Sequence, residues 1–276
     1  MIQYLYNKRK EDTHMAQTYV MTTEMTALLQ GALFHTLKSN EKHKDNGGKE
    51  LTHKTRHDSA KGYNGKVDPI KDQADIERAK EYFLSQNLRF KSNHTNIRNY
   101  MLFILGLNTG RRVGDILQFT IGDFLYTTNK VDGKYVFKKY IKHLKEQKTG
   151  KHIDILINDS CKEAIARYLD TLGTFKLTDY LFLSRKGGHI QYNQALRIYK
   201  QMANEIGLTE KGLNIGTHSA RKTLGYNWMK KAENRQNPLA LSQLQKFYNH
   251  TSNLTTLSYI GLEQEEQDKM LNELNL

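Results

Sequence analysis

The sequence predicts a mainly α fold with a small three-stranded antiparallel sheet, an α+β arrangement that follows a polar N-terminal arm. Three observations predict it. Apolar residues recur at helical spacing in most segments beyond residue 67. One stretch, from Phe124 to Ile157, changes to strand-like runs separated by glycine turns. The 276-residue chain holds only 2 prolines but 16 tyrosines, which suits helices with a small sheet.

Composition narrows the function classes. The formal net charge is +13, and a strongly basic protein most often meets a polyanion, nucleic acid being the commonest. The single cysteine, Cys161, excludes an intrachain disulfide and fits a reducing cytoplasm; it is expected as a small buried residue of a helix. No apolar run approaches the roughly 18 residues of a membrane span, and the N-terminus carries no signal-peptide pattern, so a cytoplasmic protein is expected. His53 and His57 are four apart, but no cysteine or carboxylate cluster completes a metal site with them, and no cofactor is expected.

In chain order, residues 1–66 read as an arm or linker, with one short helix around Met25, Leu28 and Leu29 and then a polar, lysine-rich, glycine-containing stretch. That stretch is either a tail for the DNA backbone or a solvated linker. Residues 67–276 form the domain. Asp72 caps a first helix with Ile76, Ala79, Tyr82, Phe83 and Leu84 on its buried side. A second, from about Thr95, is apolar nearly all round and belongs in the centre. Thr109-Gly110 ends it, and Arg112 opens a short helix with Asp115 one turn later. Phe124–Thr127, Tyr135–Leu144 and His152–Ile157 make a meander with Lys148 and Lys151 at its basic tip. Asp159 or Ser160 caps the next helix. Lys186-Gly187-Gly188-His189 is a basic loop suited to phosphate, followed by a helix over Tyr192–Ile206.

The stretch from Thr217 to Tyr259 carries the chemistry. Thr217 is expected to cap a helix on which His218 and Arg221, three apart, share a face near the positive N-terminal end, a place that holds phosphate. Trp228 is expected to face inward. A helix over Leu239–Tyr248 leads to Asn249-His250, and a short one ends at Tyr259. Glu263–Leu276 then reads as an amphipathic helix with Met270, Leu271 and Leu274 on one side.

In order and spacing, Thr109-Gly110-Arg111-Arg112 with Asp115, Lys148-Thr149-Gly150-Lys151, His218-Ser219-Ala220-Arg221, Asn249-His250 and Tyr259 resemble the tyrosine recombinase (phage integrase) family. The wording is similar to integrases of phages and conjugative transposons of low-GC Gram-positive bacteria. The resemblance runs from about Val67 to the C-terminus and implies that family's catalytic-domain fold. It implies a site-specific DNA recombinase working through a 3′-phosphotyrosyl intermediate, with Arg112, Lys148, His218, Arg221, His250 and Tyr259 as the catalytic set. Lys151 neighbours the turn-lysine position. Asp115 is expected to orient His218, and Arg111, Lys151, Lys186 and Lys222 to touch DNA. Double-stranded DNA, a homotetramer linked through the C-terminal helix, and accessory DNA-bending proteins are the implied partners. The family's separate helical DNA-binding domain of about a hundred residues is not visible in residues 1–66. Alternatives within reach of the same residues are a topoisomerase IB-like nicking-closing enzyme and a non-catalytic DNA-binding relative; a basic RNA-binding protein fits the charge but not the motifs.

Overall fold

A computed structural model of the chain describes residues 66–85, 93–146, 150–184 and 186–274. The expected arm, up to residue 65, and Lys148 lie outside these residues. The described elements are α1 (Gln73–Leu84), α2 (Asn93–Thr109), α3 (Val113–Leu117), α4 (Ile121–Phe124), β1 (Tyr140–Lys145), β2 (His152–Leu156), α5 (Asp159–Leu169), α6 (Tyr192–Glu205), α7 (Ser219–Lys230), α8 (Ala232–Arg235), α9 (Ala240–Tyr248), α10 (Asn253–Ile260) and α11 (Glu263–Leu274). All lie in one unit, Tyr63–Leu276.

Helix α2 is the axis. Met101, Leu102, Phe103, Ile104 and Leu105 are consecutive and all buried, so no side of this helix can face water, and α1, α5 and α7 pack around it. The Asp72 side chain accepts from the Ala74 amide as expected for the α1 cap. For α5 the cap is Asn158, one residue before the two expected, whose Oδ1 accepts from the Cys161 amide at 3.0 Å.

The sheet is smaller than predicted. Strands β1 and β2 pair antiparallel, Tyr140 opposite Leu156 and Lys145 opposite His152, with a bulge between Ile141 and Leu144. The third strand, expected at Phe124–Thr127, shrinks to a single bridge between Leu125 and Phe137. Asp123 explains this. Its carboxylate accepts from the Thr120 backbone amide at 2.7 Å and from the Thr120 hydroxyl at 3.0 Å, a reciprocal cap that bends Ile121–Phe124 into helix α4.

Two apolar clusters result. The large one gathers α1 to α6, the sheet and Ala220 of α7. The small one gathers Leu244, Tyr248, Leu257, Ile260 and Leu262, with Tyr259 packed against it. Residues 66–72 run across α7: the Ile70 amide donates to Thr223 Oγ1 at 2.8 Å and Lys222 Nζ to the Val67 carbonyl at 2.6 Å. The ends of α2, α7, α9 and α10 thereby converge on one spot.

Candidate active site

Arg221 is firmly held. It projects from the first turn of α7 into a buried position. Its guanidinium donates to the Gly110 carbonyl and, at 3.1 Å, to the Tyr248 carbonyl. It also stacks over the Tyr248 ring at 4.2 Å. Gly110 is required here for two reasons: its φ is +59°, and a Cβ would stand 2.7 Å from Phe247 Cε1. A guanidinium fixed by backbone carbonyls is pre-aimed before any ligand arrives.

Tyr259 ends α10 facing that arginine, its ring 5.9 Å from Arg221 Cζ. Helix α10 is set by Ser252, whose Oγ accepts from the Thr255 amide at 3.1 Å, and is stopped by Gly261 at φ +77°. The Tyr259 hydroxyl lies 3.3 Å from His218 Nδ1. Burial raises the phenol's pKa, while Arg221, by charge and hydrogen bond, and then Arg112 pull it back. His250 completes the cage, its ring centroid 4.9 Å from that of Tyr259 and its Nδ1 3.1 Å from Thr256 Oγ1. Burial first, then Arg221 and Arg112, bring the His250 pKa down to about 4, so it is neutral near pH 7.

His218 sits at the N-cap position of α7 in helical backbone, and Thr217 does not cap. The Thr217 hydroxyl instead donates to the Tyr192 hydroxyl at 3.0 Å, while Ser219 Oγ accepts from the Gly216 amide at 3.0 Å. The His218–Arg221 spacing survives because it depends on the helix, not on the identity of its cap. The cluster therefore offers two guanidiniums, two imidazoles and a phenol around one point, a set suited to an anion that is attacked by the phenol.

Residues 78–266 match the model of the phage integrase family. The chain belongs to that family, the tyrosine recombinases. It is 34% identical over 202 residues to the probable integrase/recombinase YoeC of Bacillus subtilis (strain 168), an alignment covering 72% of this chain and 92% of that protein. Its fold is also similar to solved recombinases at low identity. The XerA recombinase aligns with a TM-score of 0.51 at 18% identity, over 79% of this chain and 67% of that one. The XerH site-specific recombinase bound to palindromic difH substrate, in a post-cleavage complex, aligns with a TM-score of 0.53 at 19% identity, over 77% of this chain and 55% of that one.

In this phage integrase family member the structure brings Arg112, His218, Arg221, His250 and Tyr259 together. Arg112 opens α3 without capping it through its side chain, which leaves the guanidinium to reach Glu146 Oε1 at 3.4 Å. Two expected DNA contacts fall inside the fold. Arg111 is 3% exposed; it donates to Glu146 Oε1 at 3.2 Å and to the Phe247 carbonyl at 2.9 Å and stacks on the Phe247 ring at 4.3 Å. Burial and then Arg221 bring its pKa to about 10, still protonated at neutral pH. Lys222 is 4% exposed, its ammonium on the Val67 carbonyl and 5.1 Å over the Tyr259 ring; burial pulls its pKa to about 8. Neither offers a surface to a duplex. Both were expected outside as cations; Phe247 packs over the Arg111 guanidinium and the Val67 carbonyl holds the Lys222 ammonium inside. Lys151 and Lys186 are exposed. Asp115 is buried, and its charge acts on Arg111. Trp228, expected inside, is exposed. Among the described residues no group of three or more His, Cys, Asp or Glu is placed to hold a metal ion.

Sequence reasoning missed Glu146, Tyr248 and Thr256. The signal for Glu146 was available: it is the lone carboxylate in the basic run Lys142-His143-Leu144-Lys145-Glu146-Gln147-Lys148, and an isolated acid amid bases is held there by something.

Proposed function

We propose that this tyrosine recombinase cleaves and rejoins double-stranded DNA with Tyr259 as nucleophile, residues 67–276 being its catalytic domain. The carrying observation is the 3.3 Å approach of the Tyr259 hydroxyl to His218 Nδ1 beneath the fixed Arg221 guanidinium. His218 Nδ1 accepts the phenolic proton as the oxygen attacks phosphorus. Arg112 and Arg221 hold the two non-bridging oxygens and offset the charge that grows in the pentacoordinate transition state. His250, neutral, hydrogen-bonds the same phosphate. The bond from phosphorus to the 5′ oxygen breaks, and that oxygen takes a proton from Lys148. The product is a 3′-phosphotyrosyl ester that keeps the energy of the broken bond, so a 5′ hydroxyl from another strand can reverse the step and no nucleotide is consumed.

The rest of the reading follows the family. Lys151 and Lys186 contact the DNA backbone. The assembled form is a tetramer on DNA, in the bacterial cytoplasm, joined by α11, with accessory DNA-bending proteins as further partners. Support for the joint is local. Helix α11 buries no residue and leaves Met270, Leu271 and Leu274 exposed on an acidic helix. A groove of about 890 Å³ offers Leu224, Trp228, Leu244 and Phe247 as apolar surface for that helix from a second copy, its Lys80 and Lys231 balanced by Asp154 and Glu163.

The deciding experiment incubates the protein with nicked duplexes carrying candidate element ends and looks for a covalent protein–DNA adduct. The wild type forms it. Tyr259→Phe forms none, a loss of more than about 10⁴-fold, with duplex affinity retained because only a hydroxyl is removed. Normal adduct formation by the Phe variant would take Tyr259 out of the role.

A further inference from the structure

Glu146 is the most deeply placed carboxylate in the described fold, 0% exposed, and the mechanism above makes no use of it. It ends the chain segment that follows β1 and faces three other pieces of the molecule. One oxygen meets Arg111 Nη1 at 3.2 Å and Arg112 Nη1 at 3.4 Å. The other accepts from Asn249 Nδ2 at 3.1 Å. Asn249 is the left-handed residue that ends α9, at φ 55°, and it directly precedes His250. The Glu146 backbone is also bonded: its amide donates to the Lys151 carbonyl at 2.9 Å and its carbonyl accepts from the Gly150 amide at 2.8 Å. The Glu146 charge further acts on Arg221.

A buried carboxylate survives only with cationic or hydrogen-bonding partners, and three guanidiniums gather only around an anion. Before DNA arrives, Glu146 is that anion. The two arginines are not held alike. Arg111 is fixed by two further backbone contacts, to the Thr109 and Phe247 carbonyls. Arg112 Nη1 is buried beside the carboxylate at ion-pair distance without hydrogen-bond geometry. The carboxylate thus attracts Arg112 and sets its place, yet leaves that nitrogen's hydrogen-bonding capacity for another acceptor.

Building on the assignment of Tyr259, we propose that Glu146 is a positioning residue for Arg112: with Asn249 it fixes the distance between the Arg112 guanidinium and His250, so that both meet one non-bridging phosphate oxygen. It touches neither phosphate nor tyrosine and acts on the reaction through the charge of Arg112.

The test uses the full-length protein and single-turnover adduct formation on two nicked duplexes of the same sequence, one with an ordinary phosphodiester and one with a neutral methylphosphonate at the cleaved position. Arg112→Ala defines how far a defect shrinks when the phosphate charge is absent. Glu146→Gln keeps the size and one acceptor oxygen but removes the charge. It should slow cleavage of the phosphodiester by about 10-fold or more, a misplaced-group effect, and fall within about 3-fold of wild type on the methylphosphonate. An equal loss on both duplexes means general damage and overturns the proposal, as does no loss on the phosphodiester. Should Glu146→Gln not fold, Asn249→Gly carries the test, because glycine accepts the left-handed backbone while the arm to Glu146 is removed. The same pattern at several-fold size supports the proposal; an equal or absent loss overturns it. If the wild type itself forms no adduct, the reading of Tyr259 has failed and Glu146 goes with it; a working wild type beside unaffected variants leaves Tyr259 standing and removes Glu146 alone.

Discussion

The two halves of the candidate site are built differently. The arginine half starts from the large core, Arg112 leaving the α2–α3 junction and Arg221 tied to the Gly110 carbonyl there, and reaches the small cluster only where Arg221 meets the Tyr248 carbonyl and ring. The tyrosine half rides on an eight-residue helix, α10, whose support is the small cluster of Leu244, Tyr248, Leu257, Ile260 and Leu262. Regions with few buried apolar contacts open at lower free energy than the central core. On the proposed roles, such a division would hold the phosphate against the better-anchored cations and carry Tyr259 on a helix with a smaller apolar support. An enzyme that must present its tyrosine at one moment and withhold it at another needs that asymmetry.

Gly225 is where the halves touch, and it gives the largest way to break the comparison. A Cβ there would stand 2.7 Å from Ile260 Cγ2 and 2.7 Å from the Tyr248 hydroxyl. Alanine is the better helix residue by about 1 kcal/mol, so α7 itself gains. The contact instead pushes α10 outward, taking Tyr259 away from His218 and Arg221. Gly225→Ala should slow adduct formation by roughly 10- to 100-fold, the effect of a displacement approaching 1 Å, with duplex affinity little changed. Cleavage at the wild-type rate would show that α10 does not depend on this contact for its place.

Removing α11 tests the looser half from its other end. Within one copy α11 is tied through Glu265, paired with Lys71 at 2.6 Å and Lys230 at 2.8 Å. These ties are partly exposed, of a kind worth about 0–1 kcal/mol. Ending the chain after Leu262, which keeps that buried side chain in the small cluster, should therefore shift the melting temperature by no more than about 2–4 °C. Pairing of two duplexes, followed by sedimentation or crosslinking, should weaken by about 5- to 10-fold, an apolar contact of about 1–1.4 kcal/mol. A truncated chain that assembles and recombines like the full one removes α11 from the joint.

The same asymmetry explains what was legible in the sequence. Helix α2 and the Asp72 cap could be read because each is local or periodic, and the set of His218, Arg221, His250 and Tyr259 because its order resembles the family's motifs. The third strand could not: Phe124–Thr127 has strand composition, but the Thr120–Asp123 reciprocal cap precedes it and takes Ile121–Phe124 into a helix turn. Arg111 and Lys222 read as surface cations because charge is visible and burial is not; only the packing of Phe247 and Val67 against them, 136 and 155 residues away along the chain, turns them inward. Glu146 joins three segments distant in sequence, so no window of residues displays its role.

Acid should separate the halves through His250. The His250 pKa stands near 4 in the folded protein, below its ordinary value of 6.5, because burial and the charges of Arg221 and Arg112 oppose protonation. Between these values the unfolded chain binds more protons at this position than the folded one, so stability falls as pH drops through the window from 6.5 to 4. The stabilisation is complete above pH 6.5. His250 belongs with α9 and α10, so the loss should be felt first there. Hydrogen exchange, corrected for intrinsic rates, should show α10 losing protection between pH 6.5 and 4.5 while α2 keeps it. His250→Gln removes the titrating group and should flatten the decline in melting temperature over the same window by one proton's worth of slope. An α10 as protected at pH 4.5 as at pH 7, or a His250→Gln variant with an unchanged acid slope, would mean that the tyrosine half is not the half that gives way.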